Sequence, residues 1–283
     1  MRPDTTAPRQ VTARGLVFDV TTGGPADGPA VLLLHGFPQH AGEWAGVTPL
    51  LHAAGLRTYA LDQRGYSPGA RPEQVAAYRT EECVADAVAV LDALDVPAVH
   101  LVGHDWGAVV AWELAAGHPE RVSTLTAVSV PHPAAFAHAL TTDPDQGRRS
   151  SYIELFRQAG KAEQVLLAGG AATLRGMLTG VGGPDRVDAY AEPMRVPGAL
   201  TAALNWYRAN SFQDLGRVGP VGRPTTYVWS DGDLAVGRTA AEACARHVEG
   251  DYRFVELPGV THWVPDEAPR AVAEAVLDRA GRR

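Results

Sequence analysis

Apolar residues fall along this chain in two alternating patterns. An unbroken apolar run at residues 30–34 predicts a strand covered on both faces, and residues 96–102 read as another buried strand and 122–130 as the strand after it. Residues 15–20, 56–61, 225–229 and 252–257 are further strand candidates, with Arg57 and Thr58 interrupting the second. Between the strands apolar positions recur at helical spacing. Trp44, Val47, Leu50 and Leu51 form one such stripe, and Val84, Ala87, Val88 and Leu91 another within residues 78–94. Residues 106–116, 235–248 and 266–280 read as helices too, the last announced by Pro265 and acidic residues in its first turn. Strand and helix in alternation predict an α/β domain with a parallel sheet. The rhythm breaks at Pro131-His132-Pro133. From there to Val218 only helical segments appear, at 134–140, 151–159, 162–167, 171–178, 189–192 and 198–211. The expected division is a core of residues 1–132 and 219–283 carrying a helical lid of residues 133–218.

Composition narrows the classes. With 283 residues, 46% hydrophobic and 20% charged, the chain can bury a large core and is neither disordered nor fibrous. A formal charge of -7 offers no basic surface for a nucleic acid. The opening MRPDTTAPRQ lacks the apolar run of a signal peptide, and no stretch approaches the length of a membrane span. Cys83 and Cys244, the only cysteines, fit buried thiols rather than a disulfide framework. A cytoplasmic protein is expected, away from membranes, with Arg279, Arg282 and Arg283 as a solvated end.

Chemistry enters at Gly103-His104-Asp105-Trp106-Gly107, where a buried strand meets a helix. The spacing is that of the G-x-S-x-G nucleophile elbow with Asp in the place of Ser. The turn is too tight for side chains two positions before and after the nucleophile, and Gly103 and Gly107 satisfy that. An aspartate capping a helix would give the same local pattern. A carboxylate nucleophile suits sp3 carbon, forming an alkyl ester that water must cleave; attack on an ester or amide carbonyl would give an anhydride. That excludes esterases and peptidases and leaves strained ethers and alkyl halides.

The second step needs a base and a group to orient it. His262 follows the last strand candidate, and Asp231 and Asp233 follow the strand at 225–229; either carboxylate could reach. Nucleophile, acid, histidine is the chain order of elbow hydrolases. Negative charge developing on the Asp105 ester needs backbone donors, and the amides of Phe37, in His35-Gly36-Phe37-Pro38, and Trp106 are the candidates. The Phe37–Pro38 peptide is a candidate for the cis form.

Over nearly its whole length the chain resembles the α/β-hydrolase-fold epoxide hydrolases. HGFP at 35–38, DQRGY at 62–66, GHDWG at 103–107 and GVTHWVPDEAP at 259–269 resemble that family's blocks. The resemblance implies a mostly parallel eight-stranded sheet with an inserted cap, and it favours Asp233 as the acid. It also implies two lid tyrosines that hold the epoxide oxygen, matched here by Tyr152 and by Tyr207 in Asn205-Trp206-Tyr207-Arg208. His35, Pro38, Trp206 and Trp263 are expected around the substrate. No metal or organic cofactor is implied; the partner is a small epoxide, and the state a monomer or homodimer. Haloalkane dehalogenases share the core blocks, but many have Asn where this chain has Phe37, and fluoroacetate dehalogenases have Arg where it has Trp106. A ligand-binding protein on the same fold would have no use for the hydrolytic base. The chain departs from the family at Arg157, usually Gln, at Ser230, usually Gly, and at Ser67-Pro68-Gly69-Ala70.

Overall fold

The computed structural model describes residues 8–282, so Met1–Ala7 of the opening segment and Arg283 lie outside the described residues. Eight strands form one sheet in the order β1-β2-β4-β3-β5-β6-β7-β8. They are β1 (Arg9–Ala13), β2 (Leu16–Gly23), β3 (Ala30–Leu34), β4 (Arg57–Leu61), β5 (Val99–His104), β6 (Val122–Val128), β7 (Thr225–Ser230) and β8 (Tyr252–Leu257). Strands β3 to β8 run parallel, whereas β1 and β2 are antiparallel to their neighbours. Strand β1 was not among the expected ones: of its five residues only Val11 and Ala13 point inward, too short an alternation to stand out. A two-residue turn at Arg14-Gly15, both at positive φ, joins it to β2, the geometry that matches strand twist in a tight hairpin. The cis peptide at Phe37–Pro38 is as expected.

The apolar runs are explained by two cores. Leu32 and Leu34 of β3 enter the core on one face of the sheet, and Val31 and Leu33 the core on the other. Flanking the sheet are α1 (Thr48–Ala53), α2 (Thr80–Ala93) and α3 (Trp106–Gly117). Helix α3 is buried almost all round, from Trp106 to Ala115. Between β6 and β7 runs the inserted helical region. It comprises α4 (Pro133–Thr142), α5 (Pro144–Arg149), α6 (Tyr152–Phe156), α7 (Lys161–Met177), α8 (Pro184–Met194), α9 (Ala199–Ala209) and α10 (Phe212–Leu215). Helix α7 breaks at Ala168–Ala171, with Gly169, Gly170 and Ala171 left-handed, where the sequence pattern also shows two segments. Helix α8 is longer than expected because Pro184 can open a helix and its charged residues hide the period.

The chain closes with α11 (Arg238–Ala243), α12 (Val264–Glu267) and α13 (Pro269–Arg279). The single closing helix expected is two helices, divided just before Pro269, whose missing N–H suits a helix start. Arg279 is not a solvated residue. Its side chain is 4% exposed, donates to Thr226 Oγ1 and the Thr225 carbonyl, and pairs with Asp251. Both cysteines are buried and unpaired. Among the described residues no helix is long and apolar enough to cross a membrane.

Candidate active site

Asp105 stands at the end of β5 with φ 51° and ψ −121°, a conformation L-residues seldom adopt and that typically costs about 1–3 kcal/mol. Three glycines make it attainable. A Cβ on Gly103 would strike the Gly107 carbonyl, one on Gly107 the Leu34 backbone, and one on Gly36 the Asp105 side chain itself. The three segments therefore pack backbone to backbone beneath the carboxylate. The Phe37 amide donates to Asp105 Oδ1 at 2.7 Å, while Trp106 opens α3 directly behind.

Opposite, His262 Nε2 lies 3.5 Å from Asp105 Oδ2, and its Nδ1 lies 2.8 Å from Asp233 Oδ2. The geometry separates the two acid candidates. Asp233 is fully buried, and its Oδ1 accepts from the Ala235 and Val236 amides, whereas Asp231 takes the Gly259 amide on the surface. Burial lowers the His262 pKa, but the Asp233 and Asp105 carboxylates more than offset it, leaving the ring at about 10. Burial raises that of Asp105, yet His262 holds the carboxyl below its ordinary value.

A cavity opens over Asp105 and Trp106, with Tyr152 and Tyr207 on its lid side. Burial, reinforced for Tyr152 by Asp105 and for Tyr207 by Tyr152, raises both phenols, so each keeps its proton and can donate. The remaining wall is apolar: Val109, Val130, Phe136, Ile153, Phe212 and Leu215, with Pro133, Ala235 and Val236. The sequence reading did not single out this wall, since apolar residues at helical spacing read as ordinary core. His35, Pro38, Trp206 and Trp263 stand outside this lining. His35 is fully buried, accepting from the Gln63 amide through Nε2. Pro38 is buried in the turn after Phe37. The Trp206 ring backs that of Trp106 at 5.7 Å and donates to the Arg64 carbonyl. Trp263 packs on His262 and His104. These large rings fill space behind the site and buttress it.

The three sequence departures have structural accounts. Arg157 donates to the Tyr207 and Asn210 carbonyls, tying α6 to the end of α9. Ser230 donates to the Thr261 carbonyl, joining the end of β7 to the segment before His262. Ser67 accepts from the Asp19 amide, and Gly69 from that of Val17, so the unusual loop is laid against β2. Among the described residues no group of three or more His, Cys, Asp or Glu is arranged to hold a metal ion.

A carboxylate on a strand-to-helix turn, with a backbone donor on one oxygen and a His–Asp pair facing the other, defines a hydrolase of the nucleophile-elbow class. The family model described as alpha/beta hydrolase fold matches residues 29–269. The chain is 32% identical over 314 residues to epoxide hydrolase A of Mycobacterium tuberculosis, an alignment covering 95% of this chain and 96% of that protein. It is 33% identical over 279 residues to the AB hydrolase superfamily protein YfhM of Bacillus subtilis, covering 95% and 96%. The crystal structure of epoxide hydrolase A from Mycobacterium thermoresistibile aligns with a TM-score of 0.85 at 27% identity, covering 98% of this chain and 99% of that one. This chain belongs to the α/β-hydrolase-fold epoxide hydrolase family.

Proposed function

We propose that the protein adds water to an epoxide, giving a vicinal diol through an alkyl ester on Asp105. Oδ1, held by the Phe37 amide, stays as the carbonyl oxygen, which leaves Oδ2 to attack the epoxide carbon. The carbon–oxygen bond breaks, and the leaving oxygen takes hydrogen bonds from Tyr152 and Tyr207, stronger as its charge grows. Ester formation removes the charge of Asp105 and with it part of what holds the proton on His262. The proton that His262 gives up passes by way of the phenols to the alkoxide, and the freed Nε2 then takes a proton from water, which attacks the ester carbon. The Phe37 and Trp106 amides face the resulting oxyanion; on its collapse His262 returns its proton to the departing alkyl oxygen, releasing the diol, and takes up the proton left on the acid, restoring the carboxylate.

The observation that carries this reading is the cavity itself, lined by the Asp105 carboxylate and by the Tyr152 and Tyr207 phenols. That pairing suits an oxygen that leaves while still bonded to the substrate, and it favours an epoxide over a haloalkane. The division into core (1–132 and 219–283) and cap (133–218) is part of the proposal, the cap bringing the tyrosines to the elbow. Two unpaired buried thiols support a reducing, cytoplasmic setting. The test is His262→Gln mixed with a terminal aryl epoxide and followed by intact-protein mass spectrometry. One equivalent of substrate mass should appear on the peptide containing Asp105 and persist. Loss of turnover with no adduct, or an adduct elsewhere, refutes the assignment.

A further inference from the structure

Behind the site lies a buried acid that the mechanism above does not use. Glu43 is fully buried, on the single 3-10 turn between the Phe37 loop and α1. Its Oε2 lies 3.2 Å from Nδ1 of His104, which is also fully buried, and its Oε1 has no hydrogen-bond partner among the described residues. The other nitrogen of His104, Nε2, lies 2.9 Å from the backbone carbonyl of His262, which also accepts from Ser129 Oγ at 2.8 Å. Thus a chain of contacts runs from Glu43 to the backbone of the residue that faces Asp105.

The donors and acceptors in this chain decide where its protons sit. A carbonyl can only accept, so His104 Nε2 must carry hydrogen. If His104 is neutral, its Nδ1 is then a lone pair and needs a donor, which a carboxylate cannot be. Glu43 must therefore be the carboxylic acid, its O–H on Oε2 directed at Nδ1. The alternative is an imidazolium beside a carboxylate, with one bare carboxylate oxygen buried, a costly arrangement. The surroundings favour the neutral pair. Burial opposes ionisation of Glu43, and Asp266 and Asp105 add to it, which together outweigh the Gly36 amide and Arg186 that favour the charged form. Around His104, burial and the neighbouring His262 outweigh Asp105 and Asp266, bringing its pKa down to about 4.

The geometry points to Glu43 as a positioning residue for the hydrolytic step, a neutral carboxylic acid that fixes the His104 tautomer and through it the backbone of His262. The inference rests on His262 activating water. Alkylation by Asp105 needs no base, so the two chemical steps should respond differently. Rapid-quench and stopped-flow measurements on the full chain, with a terminal aryl epoxide, separate them. Glu43→Leu removes the donor and should slow discharge of the alkyl-enzyme about tenfold or more, as expected for a lost buried hydrogen bond. Alkylation should change by less than about threefold. Glu43→Gln keeps an N–H donor for Nδ1 and should restore discharge to within about threefold of wild type. Wild-type discharge in Glu43→Leu, equal slowing of both steps, or Glu43→Gln as slow as Glu43→Leu would each overturn the role. Nitrogen-15 chemical shifts of His104 in the wild-type enzyme test it without any variant. The neutral Nε2–H tautomer should hold from about pH 6 to pH 8, and an Nδ1–H or cationic ring in that range overturns it. His262→Gln serves as control. If it forms no alkyl-enzyme, the base assignment fails and this inference with it, whereas the Glu43 outcomes strike the inference alone.

Discussion

Asp105 combines a strained backbone with a stabilised carboxylate, and the two can be tested separately. Gly107→Ala puts a methyl group against the Leu34 backbone, which cannot give way as a flexible side chain would. It should cost about 3 kcal/mol or more of stability, read by chemical denaturation. Asp105→Asn removes the charge and leaves the fold. Because Asp105 helps hold the proton on His262, the His262 pKa should fall by about one pH unit or more in that variant, read by NMR titration. An unchanged value would mean that ester formation does not prime the base. The linkage to stability follows from the same shift. His262 is raised from 6.5 to about 10, so its pairing stabilises fully below pH 6.5 and is lost as pH rises through about 10. Asp105, held low, contributes above its ordinary 3.8 and loses that contribution as pH falls through its lowered value. At the facing wall, Tyr152→Phe or Tyr207→Phe should slow alkylation by roughly 10²-fold or less, and the double variant should nearly abolish it, measured in single-turnover experiments.

Among the elements, α6 and α9 bring the two tyrosines into the cavity, and Arg157 is their shared fastening. Its guanidinium serves the carbonyls of Tyr207 and Asn210 and lies over the Phe212 ring at 5.6 Å. Arg157→Ala leaves two carbonyls without their donor and should cost about 1–3 kcal/mol, visible as a lower Tm. Alkylation, which uses both phenols, should slow, while discharge of the alkyl-enzyme should not. Equal effects on both steps would make Arg157 a general stabiliser. A second fastening holds the acid. Gln146 of α5 donates to the Ala235 carbonyl and accepts from the Gly237 amide, and Arg149 donates to the Asp233 carbonyl. None of this was legible in the sequence, because each contact joins helices or loops whose separation along the chain carries no local pattern. Asp105 and His262 were legible for the opposite reason. Their roles are written into the residues beside them, glycines two positions either side of one and strand ends before both. Local pattern left Asp233 and Asp231 level, the resemblance favoured Asp233, and the fold supplies the reason, since Asp233 is buried against His262 and Asp231 is on the surface.

Taken as a whole, the molecule is a sheet whose inner strands are largely buried because both faces are covered, and β3 announces itself by an unbroken apolar run. Its margins are harder to read. Strand β1 is too short to alternate visibly, and β8 mixes exposed Arg253, Phe254 and Glu256 with half-buried Val255 and Leu257. That mixture has a use. Strand β8 pairs only with β7 among the described strands, so its outer row of N–H and C=O groups could template a strand from another molecule. Charged side chains line that margin, Arg253 pairing with Asp278 at 3.3 Å and Glu256 with Arg238 at 2.6 Å. The R253V/E256V double variant should keep its catalytic rate in dilute solution, since neither residue lines the cavity, yet scatter increasing light as it is concentrated. Equal clarity of variant and wild type at high concentration would show the charges to be dispensable there. By this expectation the shelf life of a concentrated solution of this enzyme is set on the far rim of the sheet, by residues outside the cavity that turns over an epoxide.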